Sequence, residues 1–211
     1  MDCVNKEKPA SQSAARGRPG YSREDVIRAA VRAFTARGYD ATSMDNVASE
    51  LGISKSALYH HISSKEEILE LTVVQALSRL EAVAEEMAAA DVSAGEKVRG
   101  LLRGSIGVLC SDPKSVALLL RLRGNSEVER SALERRRILT RSVIPLVAAA
   151  QEEGAIRSDV DASLLTRMIF GMINSTSDWY EPEGRLDADE LAATFESVVF
   201  GGLAPHAMKK G

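Results

Sequence analysis

Residues 42–62, TSMDNVASELGISKSALYHHI, decide the fold. Ser43 is placed to cap a helix by accepting a hydrogen bond from a free N–H of its first turn. Val47 and Leu51, four residues apart, give that helix one buried stripe. Gly52 follows at once, where a left-handed residue ends a helix at little steric cost. Ser54 then caps a second helix with Leu58 and Ile62 as its apolar pair. Left facing outward are Lys55, Ser56, Ala57, Tyr59, His60 and His61. A face with a cation, a hydroxyl, a small apolar group, a phenol and two imidazoles suits groove edges and phosphates better than a core. Two short helices around a glycine turn make a helix-turn-helix whose second helix reads DNA. Lys55, Ser56, Ala57 and Tyr59 are the expected contacts to base edges. Thr42, Ser43, His60, His61 and Lys65 are expected to hold phosphates.

The flanks extend this head. Upstream, Ser22 and Asp25 form a capping-box start, and Val26, Ala30, Val31 and Phe34 recur at helical spacing until Gly38. That helix is the expected floor for the pair. Residues 1–21 read as a disordered polar arm ending in Arg16-Gly17-Arg18-Pro19-Gly20. Arg16 and Arg18 there suit either minor-groove insertion or a plain solvated tail. Downstream, Ser64-Lys65-Glu66-Glu67 reads as a full capping box opening a long helix to about residue 90. Lys65 and the free N–H groups beside it predict a phosphate site. The helix starts in the head and ends in the body, which makes it the expected lever between them.

The body reads as helices throughout, giving an all-α chain of about nine. Starts are predicted at Ser93, Asp112-Pro113, Ser126, Asp161 and Asp187. The third of these carries Leu139, Val143, Val147 and Ala150 on one stripe and Pro145 inside it; the fourth is predicted to run to Trp179. The expected division is an arm over 1–21, a DNA-binding domain over 22–66 and an effector-binding and dimerisation domain over 67–211.

Composition agrees. The net charge of −3 hides 10 basic and 7 acidic residues up to Lys65 against 17 and 23 beyond it, a cationic head on an anionic body. The two cysteines, Cys3 and Cys110, form neither a disulfide framework nor a metal-ligand spacing, so no metal is expected. No apolar run approaches a membrane span, and the first residues do not read as an export signal, so a cytoplasmic protein is expected. Neither a Gly-rich phosphate loop, an H-E-x-x-H nor a nucleophile elbow occurs, so the chain is not expected to be an enzyme or to need a cofactor.

Arg121, Arg123, Arg135, Arg136, Arg137 and Arg141 lie beside the apolar body. A greasy pocket with a cationic mouth suits an acyl chain on a phosphorylated handle, such as an acyl-coenzyme A (CoA) thioester. A solvated arginine face partnered by Glu127, Glu129 and Glu134 is the plainer alternative.

The run GYDATSMDNVASELGISKSALYHHISSKEEIL, with Gly52, Ser54, Leu58 and Tyr59 at its centre, resembles the DNA-binding region of TetR-type repressors over residues 22–71. The segment Asn174-Ser175-Thr176-Ser177-Asp178-Trp179-Tyr180-Glu181-Pro182 is similar to that of a TetR-type branch controlling fatty-acid, phenylacetate or steroid breakdown in response to acyl-CoA compounds. It departs from that branch at Glu181 and Glu183. The resemblance implies a homodimer built from the last two helices, with Leu164, Leu165, Met168, Ile169, Phe195, Val198 and Val199 at its interface. It also implies an effector pocket walled by Val108, Leu118, Arg121, Leu122, Arg141, Ile144, Val147, Met172 and Trp179. The reading that results is a repressor of a catabolic operon, released from a palindromic operator by an acyl-CoA, with phenylacetyl-CoA first. The alternatives are a regulator of the same fold that answers to a fatty acyl-CoA or another hydrophobic ligand, an activator, or an effector-independent DNA-binding protein.

Overall fold

A computed structural model describes residues 21–202; among them are nine α-helices, one 3-10 turn and no strand. Arg16 and Arg18 lie outside the described residues. The head comprises α1 (Arg23–Arg37), α2 (Met44–Leu51) and α3 (Lys55–Tyr59). Ser22 and Asp25 close the expected capping box, and Ser43 forms a second one with Asn46. Gly52 takes φ 65° and ψ 33°, the left-handed geometry that the turn requires. Val26, Ala30 and Phe34 of α1 bury against Val47, Leu51, Leu58 and Ile62, so α1 is the floor of the pair. The reader is shorter than its apolar pair suggests. It ends at Tyr59, and residues 60–62 continue as a turn with the His61 and Ile62 N–H groups on the Leu58 carbonyl.

Helix α4 (Lys65–Ala89) carries the chain from head to body. Ser64 accepts from the Glu67 N–H as expected. The reciprocal half of the box is absent, because Glu67 turns to the Ser63 N–H and hydroxyl and pairs with Arg23 of α1. The start of α4 is thereby tied to the head's floor as well as capped by Ser64.

The body contains α5 (Ala94–Ser111), α6 (Pro113–Leu120), α7 (Glu127–Glu152), α8 (Ala162–Ser175) and α9 (Ala188–Gly201). Helix α8 stops four residues before Trp179, and the 3-10 turn Thr176–Asp178 follows it. Pro145 sits inside α7, which continues past it. Helices α4 and α5 pack closely enough that a Cβ on Gly104 would lie 2.5 Å from the Val83 side chain. Two apolar clusters result. One runs from the head along α4 into α6, α8 and α9; the other joins the far end of α4, the start of α5 and the second half of α7. No helix among the described residues is long and apolar enough to cross a membrane.

Candidate nucleic-acid interface and ligand cavity

Short α3 presents Lys55, Ser56 and Tyr59 to solvent, with His60 beyond its end; Ala57 and His61 are half-buried at the edge. The Lys55 ammonium lies 2.9 Å from the Asp45 carboxylate of α2, whose hydrogen bond and charge push the lysine's pKa up. Both groups are exposed, and such a pair opens readily to let the lysine take a base edge or phosphate. Ser43 is exposed, its hydroxyl donating to the Asn46 side chain and accepting from the Asn46 N–H.

Two expected phosphate contacts need correction. Thr42 is buried, and its hydroxyl donates to the Gly38 carbonyl at 2.8 Å, so it has nothing to offer a phosphate. The Lys65 ammonium donates to the carbonyls of Tyr39 at 2.7 Å and Thr42 at 3.0 Å, and lies 4.1 Å from the Tyr39 ring centroid. Three backbone carbonyls, counting a longer one from Asp40, and an aromatic face consume its charge. Lys65 pins the loop between α1 and α2 to α4.

The head meets the body at the α6–α7 connection. Arg121 donates to the Thr35 carbonyl of α1, and Asn125 donates to the Asp40 carboxylate at 2.8 Å. Glu129 shapes this loop from inside. Burial works against its charge, but the N–H groups of Arg123, Gly124 and Asn125 and the Ser126 hydroxyl outweigh it, leaving the carboxyl below its usual range. Leu118, Arg121 and Leu122 line a junction cavity of about 470 Å³ with Phe34 and Tyr39 of the head. They belong to this junction and not to a pocket within the body.

The body's own cavity, about 240 Å³, lies where the two apolar clusters meet. Leu80 of α4, Ser105 and Leu109 of α5, Val116, Leu119 and Leu120 of α6, Arg136, Leu139 and Thr140 of α7, and Phe170, Ile173 and Asn174 of α8 surround it. Arg136 is the only cation among the described residues that line it. Its guanidinium donates to the Leu119 carbonyl at 3.2 Å, and among the described residues no carboxylate pairs with it. Burial, with Arg137 beside it, pulls its pKa down. A half-buried, unpaired cation in an apolar chamber favours a ligand with an anionic or strongly dipolar group.

The wall expected from resemblance is largely displaced. Val108 and Ile144 are half-buried and stand outside the lining of this cavity, and Arg141 is exposed. Val147 faces a small apolar void next to the chamber. Met172 and Trp179 point outward. The sequence did carry a signal for Arg136: it occupies the stripe Ala132, Leu139, Val143, Val147, Ala150, where a charge has no business in a plain core.

Helix α8 splits its broad apolar arc in two. Leu165, Ile169 and Ile173 turn inward, Ile169 and Ile173 being buried. Leu164, Met168 and Met172, at four-residue spacing, stay 52%, 54% and 37% exposed, and Trp179, beyond the end of α8, is 54% exposed. Ile169 is therefore monomer core, correcting its expected place at an interface. Phe195, Val198 and Val199 of α9 are half-buried, with Phe195 and Val199 packed on the core.

The head matches the profile of bacterial regulatory proteins of the tetR family over residues 26–72. A tetracyclin repressor-like C-terminal domain matches residues 91–203, more than half the chain. The chain belongs to the TetR family. This TetR regulator is 42% identical to SCO3833 of Streptomyces coelicolor A3, with a TM-score of 0.79 over 85% of this chain and 91% of that one. It is 26% identical to the HTH-type transcriptional repressor KstR2 of Mycolicibacterium smegmatis over 192 residues, 88% of this chain and 92% of that protein. It shares its fold with AibR in complex with isovaleryl coenzyme A and operator DNA, at 24% identity and a TM-score of 0.69 over 84% of this chain and 97% of that one. As a TetR regulator the protein is a DNA-binding transcription factor and not an enzyme.

Proposed function

We propose that this TetR regulator is a dimeric repressor that leaves a palindromic operator when an acyl-CoA thioester enters the body. The observation that carries the effector reading is Arg136 in its apolar chamber. A chamber of about 240 Å³ accommodates an acyl group and leaves the bulk of the CoA handle outside. The thioester oxygen or the first polar group of the handle would meet Arg136, Thr140 or Asn174. Phenylacetyl-CoA is the first candidate and a fatty acyl-CoA the second. AibR supports this only as a fold known with an acyl-CoA and DNA together, and KstR2 supports repression through its name.

The dimer reading rests on the exposed α8 stripe of Leu164, Met168 and Met172, too continuous to be left in water, with exposed Trp179 after the helix. Two reader helices, roughly 34 Å apart or a multiple of that, then match the half-sites of a palindrome. Lys55, Ser56, Ala57 and Tyr59 would read bases; Ser43, His60 and His61 would hold phosphates. Signal passes two ways. Helix α4 is continuous from head to body, and α6, which walls the cavity, packs on α1. A ligand competing for Arg136 would loosen its bond to the Leu119 carbonyl at the end of α6. About 4 kcal/mol of differential binding between the two head arrangements cuts operator affinity roughly a thousandfold.

The test is a mobility shift on a palindrome from the gene's upstream region, with and without phenylacetyl-CoA and fatty acyl-CoA esters. The expected result is binding that an ester relieves. Absence of any binding overturns the operator claim, and binding untouched by every ester overturns the effector claim.

A further inference from the structure

The ligand cavity shares a wall with its neighbour. All the chamber's polar side chains, Ser105, Arg136, Thr140 and Asn174, stand on the side of about 240 Å³. Next to it lies an apolar void of about 10 Å³, walled by Val98, Leu101, Val143, Val147 and Ile169. That void has one hydroxyl, Thr166, which already donates to the Ala162 carbonyl at 2.7 Å. Phe170 and Ile173, one turn apart on α8, are the two residues that face both spaces. Phe170 packs on the cluster of α4, α5 and α7; Ile173 belongs to the cluster that reaches the head. The pair therefore stands on the seam of the core.

The two differ in freedom. Ile173 is buried and β-branched, held to one rotamer in a helix. Phe170 is only half-buried, so its ring is less tightly confined by packing. We infer that Phe170 is a partition between two chambers of one ligand pocket, and that it sets the length of apolar tail the protein accepts. A ligand's polar handle faces Arg136, because the donors are all on that side. Its tail then points at the Phe170 ring. Behind the ring the void is about one water probe in size, too small for a chain unless the ring moves. With the ring in place, binding strengthens with each methylene until the tail reaches it, and then stops.

This rests on the reading of the cavity as the effector site, so the experiment uses two ligand series. Straight-chain alcohols of increasing length probe the chambers without any CoA handle; straight-chain acyl-CoA esters probe the function. Calorimetric affinities are compared for the wild-type chain, Phe170→Ala and Phe170→Leu. In wild type, affinity rises about fourfold per methylene up to a limiting length. In Phe170→Ala the rise continues through several further methylenes, and Phe170→Leu lies between. Should Phe170→Ala fail to fold, Phe170→Leu decides alone. Identical limiting lengths in wild type and variant overturn the partition, as does the binding of neither series to any of the proteins. A length shift with alcohols but no binding of CoA esters upholds the partition and overturns the acyl-CoA reading.

Discussion

Arg121 donates to the Thr35 carbonyl at 2.8 Å and, through its other terminal nitrogen, to the Asp178 carboxylate at 3.3 Å. Thr35 is in the last turn of α1, where the final carbonyls have no partner within the helix. Asp178 closes the 3-10 turn that follows α8, just before the exposed Trp179. One guanidinium thus connects the floor of the DNA-binding head to the surface proposed to meet a second subunit.

Arg121→Gln should leave fold and oligomeric state intact while loosening the head. The bond to the Thr35 carbonyl is worth about 1 kcal/mol, which is about fivefold in operator affinity. The exposed contact to Asp178 adds little. Fluorescence anisotropy on operators with altered half-site spacing checks this. The variant should discriminate less between spacings, and unchanged discrimination would show that the contact does not hold the heads.

Lys65→Met tests the carbonyl clamp against the phosphate contact expected from the sequence. A phosphate contact predicts weaker DNA binding and a salt slope reduced by about one. The carbonyl clamp predicts the opposite pattern. Three carbonyls and the Tyr39 ring lose their cation, destabilising the head by about 1–3 kcal/mol, while the salt slope of the folded protein stays as it was. Denaturant melts and a salt titration of operator binding together give the answer.

The head was legible because its signals are local. Ser43, Gly52, Ser54, Leu58 and Ile62 each act within a turn or two, so order along the chain stands in for position in space. Thr42 and Lys65 misled for the complementary reason. Their partners, the carbonyls of residues 38–42, come from a loop whose path depends on how α1 meets α4. In the body the helices were legible but not their rotation. Helix α8 is apolar round so much of its surface that Leu164 and Leu165 look equivalent in sequence, and only packing turns one out and the other in. The cavity likewise forms between five helices, and no spacing along any one of them encodes it.

Acid should weaken the joint between α1 and α4. Hydrogen bonds from the Ser63 hydroxyl and N–H, then from Arg23, hold the Glu67 carboxyl down at about 2 against an ordinary 4.5. A folded-state pKa below the unfolded one adds stability that is complete above about pH 4.5 and is lost as pH falls through 2. Glu67→Gln removes that contribution. Its stability should fall less steeply than wild type between pH 4.5 and pH 2, as read from urea melts at each pH. Parallel curves for the two proteins would mean that Glu67 is not the group whose protonation opens the joint.

Register on α8 makes the dimer testable with two adjacent residues. Met168 is 54% exposed and Ile169 is 7% exposed, so neighbours in the chain should respond differently to the same charge. Met168→Glu costs a single chain almost nothing, because its side chain already meets water. In a twofold interface the same substitution occurs twice and sets like charges against each other in an apolar patch. Helical content and the melt of the isolated chain should therefore survive, while sedimentation moves to the monomer. Operator affinity should drop by at least a hundredfold, since one short reader helix contacts a single half-site. Ile169→Glu instead buries a lone carboxylate in the core and should unfold the body whatever the oligomeric state. A Met168→Glu protein that stays dimeric and binds its operator normally would move the interface away from α8.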